Sequence, residues 1–262
     1  MGRNESSIKL SEIFDRPIVL FVVSLLAFWS LAWIGVMFWQ RYRELREALH
    51  DDFTFILGAA LTLLGLIIGF TFSMAVVRYD QRKNYEEQEA NAIGTEYLRA
   101  DLLPAADATK LRGLLRAYLD QRLLNYNARK AEDLKQIDAQ TARVQNEMWS
   151  AVVTSAEARA TPIAALVVAG MNDVLNSQGY TQAAWWNRIP TAAWLLLVAI
   201  CVFCNLLIGL VARGKSAFLF GILPVALAIC LSLIADIDSP RRGFIHVRPQ
   251  NLESLAQSMR SQ

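Results

Sequence analysis

One stretch constrains this chain more than any other: residues 53–77, FTFILGAALTLLGLIIGFTFSMAVV, form a run of about 25 residues without a charge. A helix rises about 1.5 Å per residue, so a helix of this length crosses a hydrocarbon core about 30 Å thick with some tilt. Charges return at Arg78 and continue to Arg99, and no proline interrupts the pattern before Pro104. The stretch predicts a membrane span that leaves the bilayer and continues as one long helix.

Small residues recur along one face of this span. At about 100° per residue, a narrow stripe along the helix is formed by Gly58, Thr62, Gly65, Gly69, Ser73 and Val76. The opposite face is bulky and carries Ile56, Leu63, Ile67, Phe70 and Met74. Gly65 and Gly69 also have the spacing at which membrane helices pack closely. We interpret the stripe as a helix-packing surface or, alternatively, as the wall of a narrow pore.

Three further apolar runs complete a four-span pattern. The first, residues 18–39, ends in an aromatic and basic flank that is typical of a retained span and not of a cleaved signal. A polar turn at residues 40–52 is expected to join it to the second span. The third and fourth runs are residues 191–212 and 217–235. With 54% apolar residues, the chain is predicted to be an all-α membrane protein with four transmembrane helices.

The segment between the second and third spans predicts helices outside the bilayer. After Pro104, apolar residues recur at helical spacing among charged residues as far as about residue 160. Thr161 and Pro162 are typical of a helix cap and first helical position. We expect the helix that follows to end at Gly179, and to pack on the long helix or lie at the membrane surface.

These patterns divide the chain into five predicted segments: a cytoplasmic N-tail at 1–17, a first transmembrane helix pair at 18–77, a cytoplasmic helical region at 78–189, a second transmembrane pair at 190–235 and a cytoplasmic C-tail at 236–262. Basic residues near the spans number about ten on the side that holds both tails and about five on the other. Because basic residues are enriched on the cytoplasmic side, both termini are predicted to be cytoplasmic.

Several function classes find no support in the sequence. The formal net charge is +2 and the basic residues are interspersed with acidic ones, so nucleic acid is not an expected partner. The three cysteines lie inside apolar runs, which argues against a disulfide framework. Residues 209–216 fit the phosphate-loop template, but they are flanked by the ends of two apolar helices and not by a strand and a helix. We therefore predict no enzyme activity, no cofactor and no metal site.

Polar residues cluster where spans are expected to meet the cytosol. Asp236, Asp238 and Pro240 close the fourth span, and Glu89 and Glu96 are among the charges on the long helix below the second. In one interpretation they form a turn and charge pairs along a single helix. In the other they form a cytoplasmic vestibule, or a clasp that fixes the long helix against the exit of the fourth span.

Both clusters carry a family resemblance. The run 89–104, EANAIGTEYLRADLLP, preceded by Arg78-Tyr-Asp-x-Arg82, resembles the bestrophin-like domain family of bacterial membrane proteins of unassigned function. The residues after the fourth span match a second signature, and the resemblance covers roughly residues 50–250. It identifies these family-motif residues: Glu89, Asn91, Gly94, Glu96, Arg99, Asp238, Pro240 and Gly243.

The resemblance implies a relation to the bestrophins, which are pentameric anion channels whose second helix lines the pore. It therefore implies a homo-oligomer, a pentamer by resemblance, that lies in a bacterial inner (cytoplasmic) membrane as a multi-pass protein and passes small anions such as chloride. The acidic run with which bestrophins clasp calcium is absent after Pro240, so calcium control is not implied. The alternative function is a non-conducting membrane scaffold or signalling protein that uses its cytoplasmic helices to bind partners.

Arg78 and Arg82 are the candidates for selecting anions. They lie four residues apart below the last apolar turn of the second span. In an oligomer each would form a basic ring near a constriction, which attracts anions and repels cations. The competing interpretation is that both side chains reach lipid headgroups or pair with nearby acidic residues.

Overall fold

The computed structural model describes residues 17–41, 43–211 and 217–261. In these ranges the chain forms eight α-helices and a short 3-10 turn at Ala100–Leu102. The helices are α1 (Pro17–Arg41), α2 (Arg43–Arg99), α3 (Ala105–Asn127), α4 (Ala131–Ala158), α5 (Pro162–Trp186), α6 (Thr191–Val211), α7 (Ala217–Asp238) and α8 (Gln250–Arg260).

The predicted all-α class with four spans is confirmed. Among the described residues, four segments are long and apolar enough to cross a membrane: Pro17–Phe38, Asp51–Leu102, Pro162–Val211 and Gly221–Asp238. The third of these segments includes both α5 and α6.

Helix α2 is continuous over 57 residues, as the uninterrupted pattern from the second span to Pro104 predicts. It begins earlier than expected, because residues 43–52, predicted from sequence to be a polar turn, are helical. The segment RELREALHDD contains Arg, Glu, Leu and Ala, which are good helix formers, so polarity alone did not indicate a turn.

Helix α5 begins as predicted and ends later. The Thr161 side chain accepts a hydrogen bond from the Ala164 amide and Pro162 occupies the first turn. The expected end at Gly179 is wrong, because the helix continues to Trp186. A glycine inside a helix costs about 1 kcal/mol relative to alanine, and the buried residues beyond it, Thr181 and Trp185 among them, offset that cost by packing.

The described part of Met1–Arg78 and Arg188–His246 forms one compact unit, called the membrane unit below. In it α1 packs against α6 and α7, and α6 packs against α7. The approach of α1 to α6 is close: a Cβ atom on Gly35 would lie 2.9 Å from the Gly209 Cα, and a Cβ on Gly209 would overlap the Ala32 carbonyl oxygen. Two glycines therefore set the distance between these helices.

Tyr79–Asn187 and the described part of Val247–Gln262 form the second compact unit, called the polar unit. In it α3 packs against α4 and α8, and α4 packs against α5. Its core is apolar and includes the fully buried side chains of Ile93, Leu111, Leu115, Met148 and Met171. The segment 236–262, expected to be one tail, thus contributes residues to both units.

Candidate functional site

The membrane-spanning part of α2 packs on its own chain along one face only. Leu57, Leu64, Thr71 and Ala75 are buried, and at 100° per residue they lie within about 40° of one another around the helix. The residues on both sides of this packed face are largely exposed. The described residues therefore leave most of the circumference of this helix uncovered.

The predicted small-residue stripe lies on one of these uncovered faces. Gly58, Thr62, Gly65, Gly69 and Ser73 are all exposed. A Cβ atom added to any of the three glycines would meet no atom of the described chain within 4 Å. The Thr62 hydroxyl donates to the Gly58 carbonyl, 2.9 Å away, as expected for a threonine in a span. The stripe is thus a smooth surface that no described residue of this chain covers.

The two arginines below the span differ in environment. Arg78 is half-buried, and its Nη1 lies 3.4 Å from the Met74 carbonyl oxygen one turn earlier. Arg82 is 1% exposed and interacts within the chain. Arg78 is therefore the more accessible of the two in the single chain.

Asp236, at the start of the second signature, stabilises the segment that follows α7. Both oxygens of Asp236 accept backbone hydrogen bonds, from the Phe244 amide at 2.6 Å and the Ile245 amide at 3.0 Å. A Cβ atom on Gly243 would lie 2.7 Å from Asp236 Oδ1, so the turn requires a glycine there. The half-buried Pro240 lies in this turn.

Asp238 joins the end of α7 to the segment before α6. Its Oδ1 accepts from the Ile189 amide at 3.0 Å, and its Oδ2 lies 3.4 Å from Arg188 Nε. Asp238 is buried, and hydrogen bonds to a charged group are stronger than those between neutral groups. Asp236 and Asp238 therefore both stabilise the backbone of the membrane unit through hydrogen bonds. The predicted clasp between the long helix and the fourth span stays a prediction.

On the polar half of α2, Glu86 stabilises the start of α8. Its Oε1 accepts from the Asn251 and Leu252 amides at 2.9 and 3.0 Å, and its Oε2 accepts from Asn251 Nδ2 at 2.6 Å. The first amides of a helix lack partners within the helix and carry partial positive charge, which a carboxylate compensates. Sequence reasoning did not assign this role to Glu86, since its partners lie 165 residues away.

Glu89 forms a buried ion pair with Arg122 of α3, in which Arg122 Nε donates to Glu89 Oε1. The second oxygen of Glu89 lies 3.1 Å from the Thr181 hydroxyl and 3.4 Å from the Tyr126 hydroxyl. Burial and the Glu89 charge raise the pKa of Tyr126, so it stays neutral and can donate. A buried pair with additional hydrogen bonds of this kind fixes how three helices meet.

Asn91 and Gly94 lie where α2 meets α8. A Cβ atom on Gly94 would lie 3.0 Å from the Leu255 Cδ1. Both residues line a groove of about 440 Å³, whose other side includes Ser254 and Ser258 of α8. The groove is lined by neutral side chains, so it offers hydrogen bonds but no charge.

Glu96 is fully buried, and neither of its carboxyl oxygens has a hydrogen-bond partner among the described residues. Burial raises the pKa of Glu96 to about 8; the nearby Arg99 lowers it and Asp173 raises it. The α5 backbone passes directly over the carboxyl at Gly170, where a Cβ atom would overlap both Glu96 Oε2 and Arg99 Nη1. Burial therefore favours the neutral form of Glu96 over the ionised form.

The structure brings some motif residues together and distributes others. Glu89, Asn91, Gly94, Glu96 and Arg99 lie along the polar half of α2, and the residues of the second signature belong to the membrane unit. Sequence reasoning did not identify the partners Arg122, Thr181, Asn251 and Gly170. An arginine or a glycine in a helix carries no local signal for a partner from a distant part of the sequence.

The described residues contain no group of three or more His, Cys, Asp and Glu side chains placed to hold a metal ion. In the polar unit, Glu86 and Glu89 accept hydrogen bonds from described residues, whereas Glu96 has no such partner.

Comparisons with known proteins agree on the fold. Crystal structures of a bacterial bestrophin homologue from Klebsiella pneumoniae resemble this chain. One point mutant has a TM-score of 0.66 at 17% identity, covering 92% of this chain and 99% of that one. The structure phased with zinc has a TM-score of 0.65 at 16% identity, covering 92% and 97%.

A search of curated proteins found no match. The family model described as the bestrophin-like domain matches residues 22–252, which is most of the chain and includes both signatures. The chain belongs to the bestrophin-like domain family.

Proposed function

We propose that this protein is a homo-oligomeric membrane channel that passes small anions. The observation that carries the proposal is the uncovered face of α2, on which Gly58, Gly65 and Gly69 meet no atom of the described chain within 4 Å. Exposed small residues give a membrane helix little contact with lipid, whereas they allow a close neighbour or a narrow aqueous path. The family adds support, since bestrophins are pentameric anion channels whose second helix lines the pore.

The stripe gives the first test of assembly. Gly65→Leu and Gly69→Leu each add a bulky side chain to the smooth face, so we expect loss of the oligomer or of conduction. Gly221→Leu is the matched control, since the Gly221 Cβ position is also open and lies on α7. Oligomer mass in mild detergent is the measurement. Unchanged oligomers and unchanged conduction in both stripe variants would mean that the stripe faces neither a neighbour nor a path.

Arg78 is the proposed source of anion selectivity. A ring of half-buried guanidinium groups at the end of the span would attract anions and repel cations. Arg82 remains part of the proposal, but its burial makes Arg82→Glu a test of folding as well as of selectivity. For this reason Arg78→Glu is the informative variant.

The conduction test uses purified oligomers in planar bilayers under a chloride gradient. We expect the reversal potential to lie toward that of chloride, and Arg78→Glu to move it toward that of the cation. Arg129→Glu makes the same charge change at an exposed position between α3 and α4, and should leave the reversal potential unchanged. A cation-selective wild type would contradict the anion assignment.

A second candidate function is supported by exposed apolar side chains in the polar unit. Leu98, Leu102, Leu124, Ile163 and Leu166 are each about half exposed, and surfaces of this kind mark sites of protein interaction. A non-conducting scaffold would use them to bind partners. Bilayers that stay silent with verified oligomers present would favour the scaffold over the channel.

We further propose that both termini are cytoplasmic and that the membrane is the bacterial inner membrane. The excess of basic residues on one side of the spans supports this orientation. In a variant with its three cysteines replaced by alanine, a cysteine introduced within residues 41–50 should react with an impermeant external reagent. A cysteine at position 130 should react only after the cells are opened. Labelling of position 130 in intact cells would reverse the topology.

A further inference from the structure

The contact between α5 and the polar half of α2 depends on one ionisable group. Gly170 of α5 is buried against Glu96 and Arg99 so closely that no Cβ atom fits between them. Val167, Met171 and Val174 flank Gly170 in the sequence, and all three are fully buried in the core of the polar unit. The Glu96 carboxyl is thus covered by a helix whose apolar face belongs to the core.

Burial, and not the neighbouring charges, disfavours the ionised form of Glu96. Arg99, from the same helix, is half-buried, and Asp173, from the facing helix, is an exposed carboxylate. These two act on Glu96 with opposite signs. Asp101, just beyond the end of α2, is paired with Arg112 of α3 at 2.6 Å. The attraction of Arg99 exceeds the repulsion of Asp173, but an ionised Glu96 would still be fully buried, with neither of its oxygens hydrogen-bonded by a described residue.

We propose that Glu96 is a proton-binding switch: its protonated form allows α5 to close over α2 at Gly170, and loss of the proton releases α5. The ligand is the proton itself. In the closed form the carboxyl is neutral and buried, and in the released form it is ionised and in contact with water. The switch is independent of whether the protein conducts ions.

The sign of the pH dependence follows from linkage. The pKa of Glu96 is about 8 when α5 is closed and near 4.5 when the carboxyl is free. Below pH 4.5 both forms carry the proton, so closure is fully favoured there. As the pH rises from 4.5 toward 8 the released form loses its proton first, so release becomes more favourable by up to about tenfold per pH unit. Above pH 8 both forms are ionised and the dependence levels off.

The test is hydrogen–deuterium exchange of the full-length protein in detergent from pH 5 to pH 9, with labelling times scaled to the intrinsic exchange rate. Glu96→Gln keeps the shape of the side chain but cannot ionise. We expect peptides covering residues 164–175 to exchange alike in both proteins at pH 5. The ratio of wild-type to variant exchange should then rise with pH and reach a plateau near pH 8. Glu253→Gln, an exposed carboxyl of α8, should behave as wild type.

Two further variants keep the proposal falsifiable if Glu96→Gln fails to assemble; the exchange of each protein at every pH is then divided by its own exchange at pH 5. Asp173→Asn removes a like charge and should move the plateau to lower pH, whereas Arg99→Gln removes an opposite charge and should move it to higher pH. A ratio that is constant across the pH range would overturn the proposal, because a purely structural role of Glu96 predicts such a constant ratio. Plateaus that do not move in either variant would also overturn it.

Discussion

The two halves of α2 bury very different side chains. In the membrane half the packed face is Leu57, Leu64, Thr71 and Ala75, and the other faces are open. In the polar half the packed face includes three glutamates, Glu86, Glu89 and Glu96, each no more than 1% exposed. The same helix thus packs mainly through apolar side chains in its membrane half and buries acidic side chains in its polar half.

The three glutamates also differ from one another. Glu86 accepts from backbone amides of α8, Glu89 is paired with Arg122, and Glu96 has no hydrogen-bond partner among the described residues. Burial of a charge is tolerated only where partners replace water. The first two positions supply those partners, whereas burial at the third raises the pKa of the carboxyl and favours its neutral form.

The largest loss of stability is expected when the buried ion pair between Glu89 and Arg122 is broken. Arg122→Ala leaves the Glu89 carboxylate buried without its guanidinium, which should reduce the free energy of unfolding by about 3–5 kcal/mol. Asp101→Ala removes one partner of the more exposed Arg112 pair and should cost no more than about 1 kcal/mol. A denaturant titration in mild detergent compares the two. Equal losses would show that burial does not set the strength of these pairs.

A smaller effect is expected at the glycine contact of the membrane unit. Gly209→Ala places a methyl group against backbone atoms of Ala32 and Gly35, which cannot move aside without separating α1 from α6. Overpacking of this kind costs about 1–3 kcal/mol. Gly221→Ala is the control, because its Cβ position is open and alanine favours a helix by up to about 1 kcal/mol. Thermal unfolding of the two variants should shift in opposite directions, and equal shifts would show that the close contact at Gly209 does not limit the size of the side chain there.

The smallest effect is expected at the end of α8. Glu86→Ala removes the acceptor for the first amides of this helix, and loss of a helix cap costs about 0.5–2 kcal/mol. Hydrogen exchange should rise at residues 250–260 and remain unchanged elsewhere. Glu87→Ala, an exposed neighbour on the same helix, should leave α8 protected. If both variants exchange alike, Glu86 does not stabilise α8.

Much of the fold could be predicted because the signals are local. An uncharged run of 25 residues, an uninterrupted helical pattern to Pro104 and the Thr161–Pro162 cap each depend on neighbouring residues. The true end of α5 at Trp186 could not be predicted. The sequence indicated an end at Gly179, but tertiary packing outweighed the cost of about 1 kcal/mol for a glycine inside a helix. The partners of Glu86 and Glu89 were also beyond prediction, because contacts across 165 and 33 residues depend on the packed fold.

The hydrogen bonds that Asp236 accepts from the turn after α7 bear on how far the sequences of this family can diverge. Its carboxylate binds the amides of Phe244 and Ile245, and their side chains remain 72% and 38% exposed. A hydrogen bond from a backbone amide does not depend on which side chain that residue carries. These hydrogen bonds therefore need an acid at 236 and a glycine at 243, and they place no demand on the side chains at 244 and 245. Hydrogen bonds to backbone amides depend on few side chains, and this is one way in which two chains at 16–17% identity can share a fold.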